Sequence, residues 1–174
     1  MDESTSNVQL DASVALDAID RRVLRLLQEN GRLTNAALAE AVGLTATPLL
    51  QRIRKLEQRG VIRKYVALIE PAAVDRSTMA FVLVKLAAHS LTTHEHFLAA
   101  VRNMPEVLEC HHIAGDEDFL LKVVVRDIRE YESFLLHRLS PITEVDRVKT
   151  TFVLSTSKSE TSVPIEDPQG GRQS

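Results

Sequence analysis

The chain has 174 residues, 44% of them hydrophobic and 26% charged, a balance that supplies a packed core and excludes disorder throughout. No apolar run approaches the roughly 20 residues that span a bilayer, and the start MDESTSNVQLDAS lacks the basic and apolar regions of a signal peptide, so a cytoplasmic protein without membrane contact is expected. The net charge of −3 argues against a polyanion partner only until it is resolved along the chain.

Residues 1–15 are polar, without apolar period, and read as a flexible tail. From Leu16 the apolar positions recur at helical spacing: Ile19, Val23, Leu26 and Leu27 line a first helix that Gly31 is expected to end in a left-handed cap. A short second helix runs through Ala36 to Val42, with Thr34 or Asn35 able to cap it, and Gly43 permits a tight turn. The third helix starts between Thr45 and Pro48, buries Leu49, Ile53 and Leu56, and closes at Gly60. Val61 to Val66 fits either a short wing or a linker strand. This assigns 16–64 to a three-helix, winged helix-turn-helix domain and 65–78 to a linker.

From Met79 strands alternate with helices. Strands are expected at Ala80–Ala88, Val107–Ala114, Phe119–Arg126 and Val145–Leu154, with helices at Thr93–Asn103 and Ile128–Leu139 and a turn at Gly115–Asp118. The order βαββαβ is the ferredoxin-like arrangement, so 79–155 reads as a second domain and the whole chain as α+β. Its sheet has one uncovered face, and strands such as FLLKVVV are apolar on both sides, which points to a homodimer through this domain. Residues 156–174 read as a C-terminal tail.

Charge singles out the third helix. Residues 45–64 carry six basic groups and one acidic, whereas 1–44 and 65–174 are both net acidic. Such a stretch is the electrostatic footprint that a phosphate backbone attracts. Ala39 and Gly43 meet the demand for small residues where the two helices of a helix-turn-helix cross. Thr47, Gln51 and Arg52 are then candidates for base edges or nearby phosphates, Arg54 can reach the same groove, and Thr45, Lys55, Arg59, Arg63 and Lys64 are candidates for phosphates, with double-stranded DNA as partner.

An enzyme or metal site finds little support. His111 and His112 are neighbours on a strand and point to opposite faces, His94 and His96 are two apart on a helix, and the six glycines form no phosphate loop. The lone Cys110 excludes an intramolecular disulfide and reads as a buried structural thiol. No catalytic residue, metal or cofactor is expected.

The run LDAIDRRVLRLLQENGRLTNAALAEAVGLTATPLLQRIRKLEQRGVIRKYVALIEP from Leu16, the run PEVLECHHIAGDEDFLLKVVVRDIREYESFL from Pro105 and TTFVL from Thr150 together resemble the Lrp/AsnC family of feast/famine regulators. The resemblance implies a sequence-specific, nucleoid-associated transcription regulator of amino-acid metabolism. It further implies dimers built through the C-terminal domain, often assembled into octamers, with an amino-acid effector between dimers near the glycine-containing turn. Carried over by motif, that site would use Gly115, Asp116 and Asp118, with Thr150 and Thr151 from the last strand. A zwitterionic effector needs an acidic partner together with N–H or hydroxyl donors, and the turn offers both. Thr45 and Thr47 stand where the family often has serine, Asp75 where many members have glycine, and Pro141–Glu144 departs from the usual pattern before the final strand. Two rival functions fit the same elements: a ligand-binding module that controls an enzyme, and an architectural protein that wraps DNA without sensing anything.

Overall fold

The structure, a computed structural model, describes residues 15–166. The described residues divide into two compact units, one holding 15–67 together with 159–166, the other Leu68–Lys158. Among the described residues no helix is long and apolar enough to cross a membrane.

The first unit contains α1 (Ala18–Glu29), α2 (Asn35–Val42) and α3 (Ala46–Gln58). Asp17 caps α1 through a reciprocal capping box with Asp20. Gly31 is not the left-handed cap expected of it: Asn30 ends α1 in an extended conformation, and its side-chain oxygen accepts from Arg32 N–H at 3.0 Å. An Asx turn therefore replaces the glycine. Thr34 caps α2, and Gly43 takes φ +73°, a left-handed conformation that a side chain would strain, to aim α3. Thr45 occupies the N-cap of α3, yet its hydroxyl makes no capping bond. Val23, Leu24, Leu38, Ala39, Leu49, Ile53 and Leu56 close the core of this unit. No strand pairing forms over 61–66.

In the second unit a 3-10 turn (Pro71–Val74) ends at Asp75, which adopts φ +57°. The side-chain carboxylate makes aspartate one of the few non-glycine residues that tolerate this region. Four strands follow, β1 (Thr78–Leu86), β2 (Val107–His112), β3 (Phe119–Val125) and β4 (Val145–Phe152), in the antiparallel order β2-β3-β1-β4. Helices α4 (Leu91–Arg102) and α5 (Ile128–Phe134) complete the ferredoxin-like pattern, with α5 running on into a π-helical turn at Leu135–Leu139. Helix α4 starts at Leu91, two residues before the expected Thr93, with Ser90 as its cap.

Strand register explains which face is which. Ala80, Val82, Val84 and Leu86 of β1 pack with Leu121, Val123 and the helical residues Phe97, Tyr131 and Phe134. The intervening residues of β1 look the other way: Phe81 lies opposite Lys122 and Thr151, and Leu83 opposite Leu120 and Lys149. Phe81 is 37% exposed, so this second face holds a mixed apolar and basic surface. Cys110 sits half-buried beside the core, and burial pushes its thiol up to about 11, which makes it inert at neutral pH.

Candidate nucleic-acid interface and effector site

The buried stripe of α3, Leu49, Ile53 and Leu56, dictates what the helix can show to a partner. Each residue turns about 100°, so Thr47, Gln51, Arg54 and Gln58 fall on the opposite side, with Lys55 at its edge. All five are exposed, as are Thr45, Arg59, Arg63 and Lys64. Gln58 carries no charge to mark it and is found only by this angular count. The one acid of the stretch, Glu57, accepts a hydrogen bond from the Tyr65 hydroxyl at 3.1 Å.

Arg52 is placed differently from the other candidates. It lies about 40° around the helix from Leu56, beside the buried stripe rather than across from it. Its guanidinium reaches α1, donating to Asp17 and, at 2.7 Å, to Asp20. The Asp20 N–H and this guanidinium hold the Asp17 carboxyl below its usual range against the opposing effect of desolvation. Arg52 thus ties the N-cap of α1 to α3, an occupation that competes with the base-edge role its sequence position suggested.

On the second unit, the turn between β2 and β3 is tied to the far ends of β1 and β4. Gly115 takes φ +151°, and Asp116 is exposed. Asp118 turns inward and is 6% exposed. Its Oδ2 accepts the Leu86 N–H at 2.7 Å, and Oδ1 lies 3.2 Å from His89 Nδ1. Desolvation raises its carboxyl, but the Leu86 N–H, Lys85, His89 and His94 outweigh it and leave the group below its ordinary value.

Glu117, which the motif did not bring forward, has the property a ligand site needs. One carboxylate oxygen pairs with Arg147 at 3.0 Å, and the other is buried without a hydrogen-bond partner. Such an orphan acceptor is costly unless something completes it. Thr150 and Thr151 are not brought to this turn within one chain. They lie three and four residues along β4 from Arg147, about 10 and 13 Å away along the strand, where Thr150 bonds Tyr131 on the helix side and Thr151 faces the open side. His111 pairs with Glu109, while the His112 ring lies 5.1 Å from Phe119, and among the described residues no group of three or more His, Cys, Asp or Glu side chains could hold a metal.

With a helix-turn-helix and a ferredoxin-like sheet established, comparison with known proteins becomes decisive. Residues 16–63 match the winged helix-turn-helix DNA-binding family and residues 79–163 the Lrp/AsnC ligand binding domain. The leucine-responsive regulatory protein of Rhizobium meliloti is 40% identical over 152 residues, 87% of this chain and 97% of that protein. The chain belongs to the Lrp/AsnC family. The DNA-binding transcriptional activator DecR of Escherichia coli K12 is 39% identical, over 87% of this chain and 99% of its own length. A transcriptional regulator of Neisseria meningitidis, solved in complex with L-Met, superposes with a TM-score of 0.80 at 39% identity, over 86% of this chain and 97% of that one. This Lrp/AsnC protein is accordingly a DNA-binding transcription regulator with a ligand-binding domain, and its relatives are regulators rather than enzymes.

Proposed function

We propose that α3 enters the major groove of duplex DNA and that an amino acid, bound at the turn of the second unit, modulates the outcome. The observation that carries the DNA reading is the outer face of α3, where Thr47, Gln51, Arg54, Lys55 and Gln58 are all exposed opposite the buried stripe. Thr47 and Gln51 are short enough and early enough to approach base edges, while Thr45, Arg54, Lys55, Arg59, Arg63 and Lys64 meet phosphates on either side. Binding to any duplex should fall steeply with salt, and Lys55→Gln should flatten a plot of log affinity against log salt by about one unit without changing the preferred sequence. Fluorescence anisotropy across a salt series measures this; a slope unchanged by the substitution would remove Lys55 from the interface, and affinity indifferent to salt would favour the enzyme-controlling module instead.

At the effector turn, the free oxygen of Glu117 is suited to an ammonium, and Arg147, 61% exposed, has further donors for a carboxylate. That pairing matches a free amino acid, and the family relative bound to L-Met supports it. Glu117 takes the acidic role in this proposal, with Gly115 and Asp116 beside it, because Asp118 is already committed to Leu86. Thr150 and Thr151 join the site only if a second copy brings them. The open sheet face, with Phe81 and Leu83 among basic groups, is where two copies pair and from which larger assemblies, octamers included, are built. Genes of amino-acid metabolism and a nucleoid location in the cytoplasm follow from this role. Calorimetric titration with a panel of L-amino acids should give binding in the intact protein and a loss of about tenfold or more for Glu117→Gln, with effector-free DNA affinity unchanged. Equal affinity in the variant would remove Glu117 from the site, and no heat with any member of the panel would favour the architectural reading.

A further inference from the structure

Residues 159–166 belong to the same compact unit as the helix-turn-helix and take no part in the DNA or effector contacts just described. They lie along α1. Gln28 grips a single residue in both directions: its side-chain oxygen accepts the Val163 N–H at 2.7 Å and its amide donates to the Val163 carbonyl at 3.0 Å. Arg25 donates to the Ile165 carbonyl at 3.1 Å and Arg21 to that of Glu166 at 3.0 Å. Arg21, Arg25 and Gln28 stand at i, i+4 and i+7, one stripe of α1, and take carbonyls in reverse chain order, so the segment runs antiparallel to the helix. Ile165 adds an apolar anchor against the core of the unit, and Pro164 between the two gripped residues has no N–H to satisfy. Backbone capture with one apolar side chain set against a core is how extended peptides are recognised.

Charge makes this docking consequential. The segment SETSVPIE carries two acidic residues, Glu160 and Glu166, and no basic one, so a net charge of −2 is laid along α1. Its antiparallel course brings Glu166 to Arg21, four residues and about 6 Å of helix from Asp17. Asp17 and Asp20 are the two acids bonded to Arg52, and they line one cavity with Gln51 and Lys55 of α3. Negative charge is therefore added at the end of α1 that adjoins the face proposed to meet phosphates, where it repels them over a screening length of about 8 Å at physiological salt. The grip is also incomplete. Nε of Arg21 is buried without a hydrogen-bond partner, and of the docked residues only Ile165 is partly buried. A guanidinium bonds a phosphate more strongly than a backbone carbonyl, because both partners are then charged, so a duplex competes with the segment for Arg21 and Arg25.

We propose that the Arg21, Arg25 and Gln28 stripe of α1 is a docking surface for the chain's own residues 159–166, and that the docked segment lowers affinity for duplex DNA until phosphates displace it. This rests on the reading of α3 given under the proposed function. The test uses the full chain and a random duplex. Gln28→Ala, at an exposed position, should release the segment and bind the duplex about three- to tenfold more tightly than the intact chain at about 50 mM salt, and within about twofold of it at about 300 mM. Glu166→Gln, which keeps the backbone contacts and removes one charge, should gain about twofold at the lower salt. Amide exchange at Val163 reports the docking itself: slow in the intact chain and in Glu166→Gln, fast in Gln28→Ala, and fast in the intact chain once duplex is saturating. Ile165→Ser removes the apolar anchor and should behave as Gln28→Ala does. Rapid exchange at Val163 in the intact chain, or slow exchange in both release variants, would overturn the docking surface. A released Val163 with low-salt affinity unchanged or reduced would overturn the inhibition. Affinity indifferent to salt in an intact chain whose Val163 is protected would instead overturn the α3 reading, and the inhibition with it.

Discussion

Asp118→Ala is expected to destabilise the second unit by about 2 kcal/mol, enough to lower its melting temperature by roughly 10 °C. The physical reason is the orphan it creates. Leu86 is 3% exposed and its N–H has the Asp118 carboxylate as acceptor, so truncation leaves a buried donor with no partner. Lys85 at 3.7 Å and His89, 65% exposed, contribute less because water screens them. Asp118→Asn keeps an acceptor but not the charge and should recover about half of the loss. The sign of the pH dependence follows from the lowered carboxyl: its contribution is fully present above the ordinary value of 3.8 and is lost as pH falls through the folded value below it. The gap between wild type and Asp118→Ala should therefore be constant near neutrality and narrow only in acid. Melting followed by circular dichroism at pH 7 and pH 3 measures both effects, and a shift of under about 1 °C at pH 7 would show that the Leu86 N–H finds another acceptor. A lost effector response in this variant would arrive with a loosened turn, whereas in Glu117→Gln it would arrive on an intact one, and that contrast separates support of the site from contact with the ligand.

The chain shows plainly why some of this was legible in the sequence and some was not. Periodicity marks every α-helix and strand because Leu49, Ile53 and Leu56, for example, recur at helical spacing, while Ala80, Val82 and Val84 alternate as a half-covered sheet requires, but it leaves the 3-10 turn at Pro71–Val74 inside the expected linker. Element ends were less visible. Asn30 and Gly31 are adjacent candidates for ending one helix, and the choice fell to an Asx turn that competes with a glycine cap on nearly equal terms. At the turn between β2 and β3 three acids stand in a row, and nothing local distinguishes the one that faces inward from the one left with a free oxygen. That difference is made by Leu86 and Arg147, more than 25 residues away in either direction, whose register with the turn only the folded sheet fixes. The docked C-terminal segment was hidden for a related reason. It is recognised mainly through its backbone carbonyls by Arg21, Arg25 and Gln28, and backbone contacts leave almost no mark on composition, so Thr156 onward read as a tail. Residues 1–14 and 167–174 of the two expected tails lie outside the described residues.

Replacing Arg52 by alanine is expected to weaken DNA binding by roughly tenfold, about 1.4 kcal/mol, on every duplex alike. The angular position of Arg52 beside Leu56, and its contacts with Asp17 and Asp20, make it a brace that holds α3 against the start of α1. Two effects combine when it is removed. The brace itself is partly exposed, 31% at Arg52 and 50% at Asp17, so its loss should cost the unit no more than about 1 kcal/mol of stability. The larger effect is electrostatic: two carboxylates lose their counter-charge next to Gln51 and Lys55, on the face proposed to meet DNA, and the helix they steadied is free to tilt. A brace and a base reader make different predictions. A reader forks onto one guanine, so its removal costs most on the selected sequence and relaxes specificity at one position. A brace touches no base, so the ratio of selected to random affinity stays constant while both fall. Adding Asp17→Asn and Asp20→Asn to Arg52→Ala should then return most of the lost affinity, since the unbalanced negative charge is gone. Titration of the single and triple variants against selected and random duplexes separates the two: a collapse of the ratio in Arg52→Ala, unrelieved in the triple variant, would place the guanidinium on a base after all.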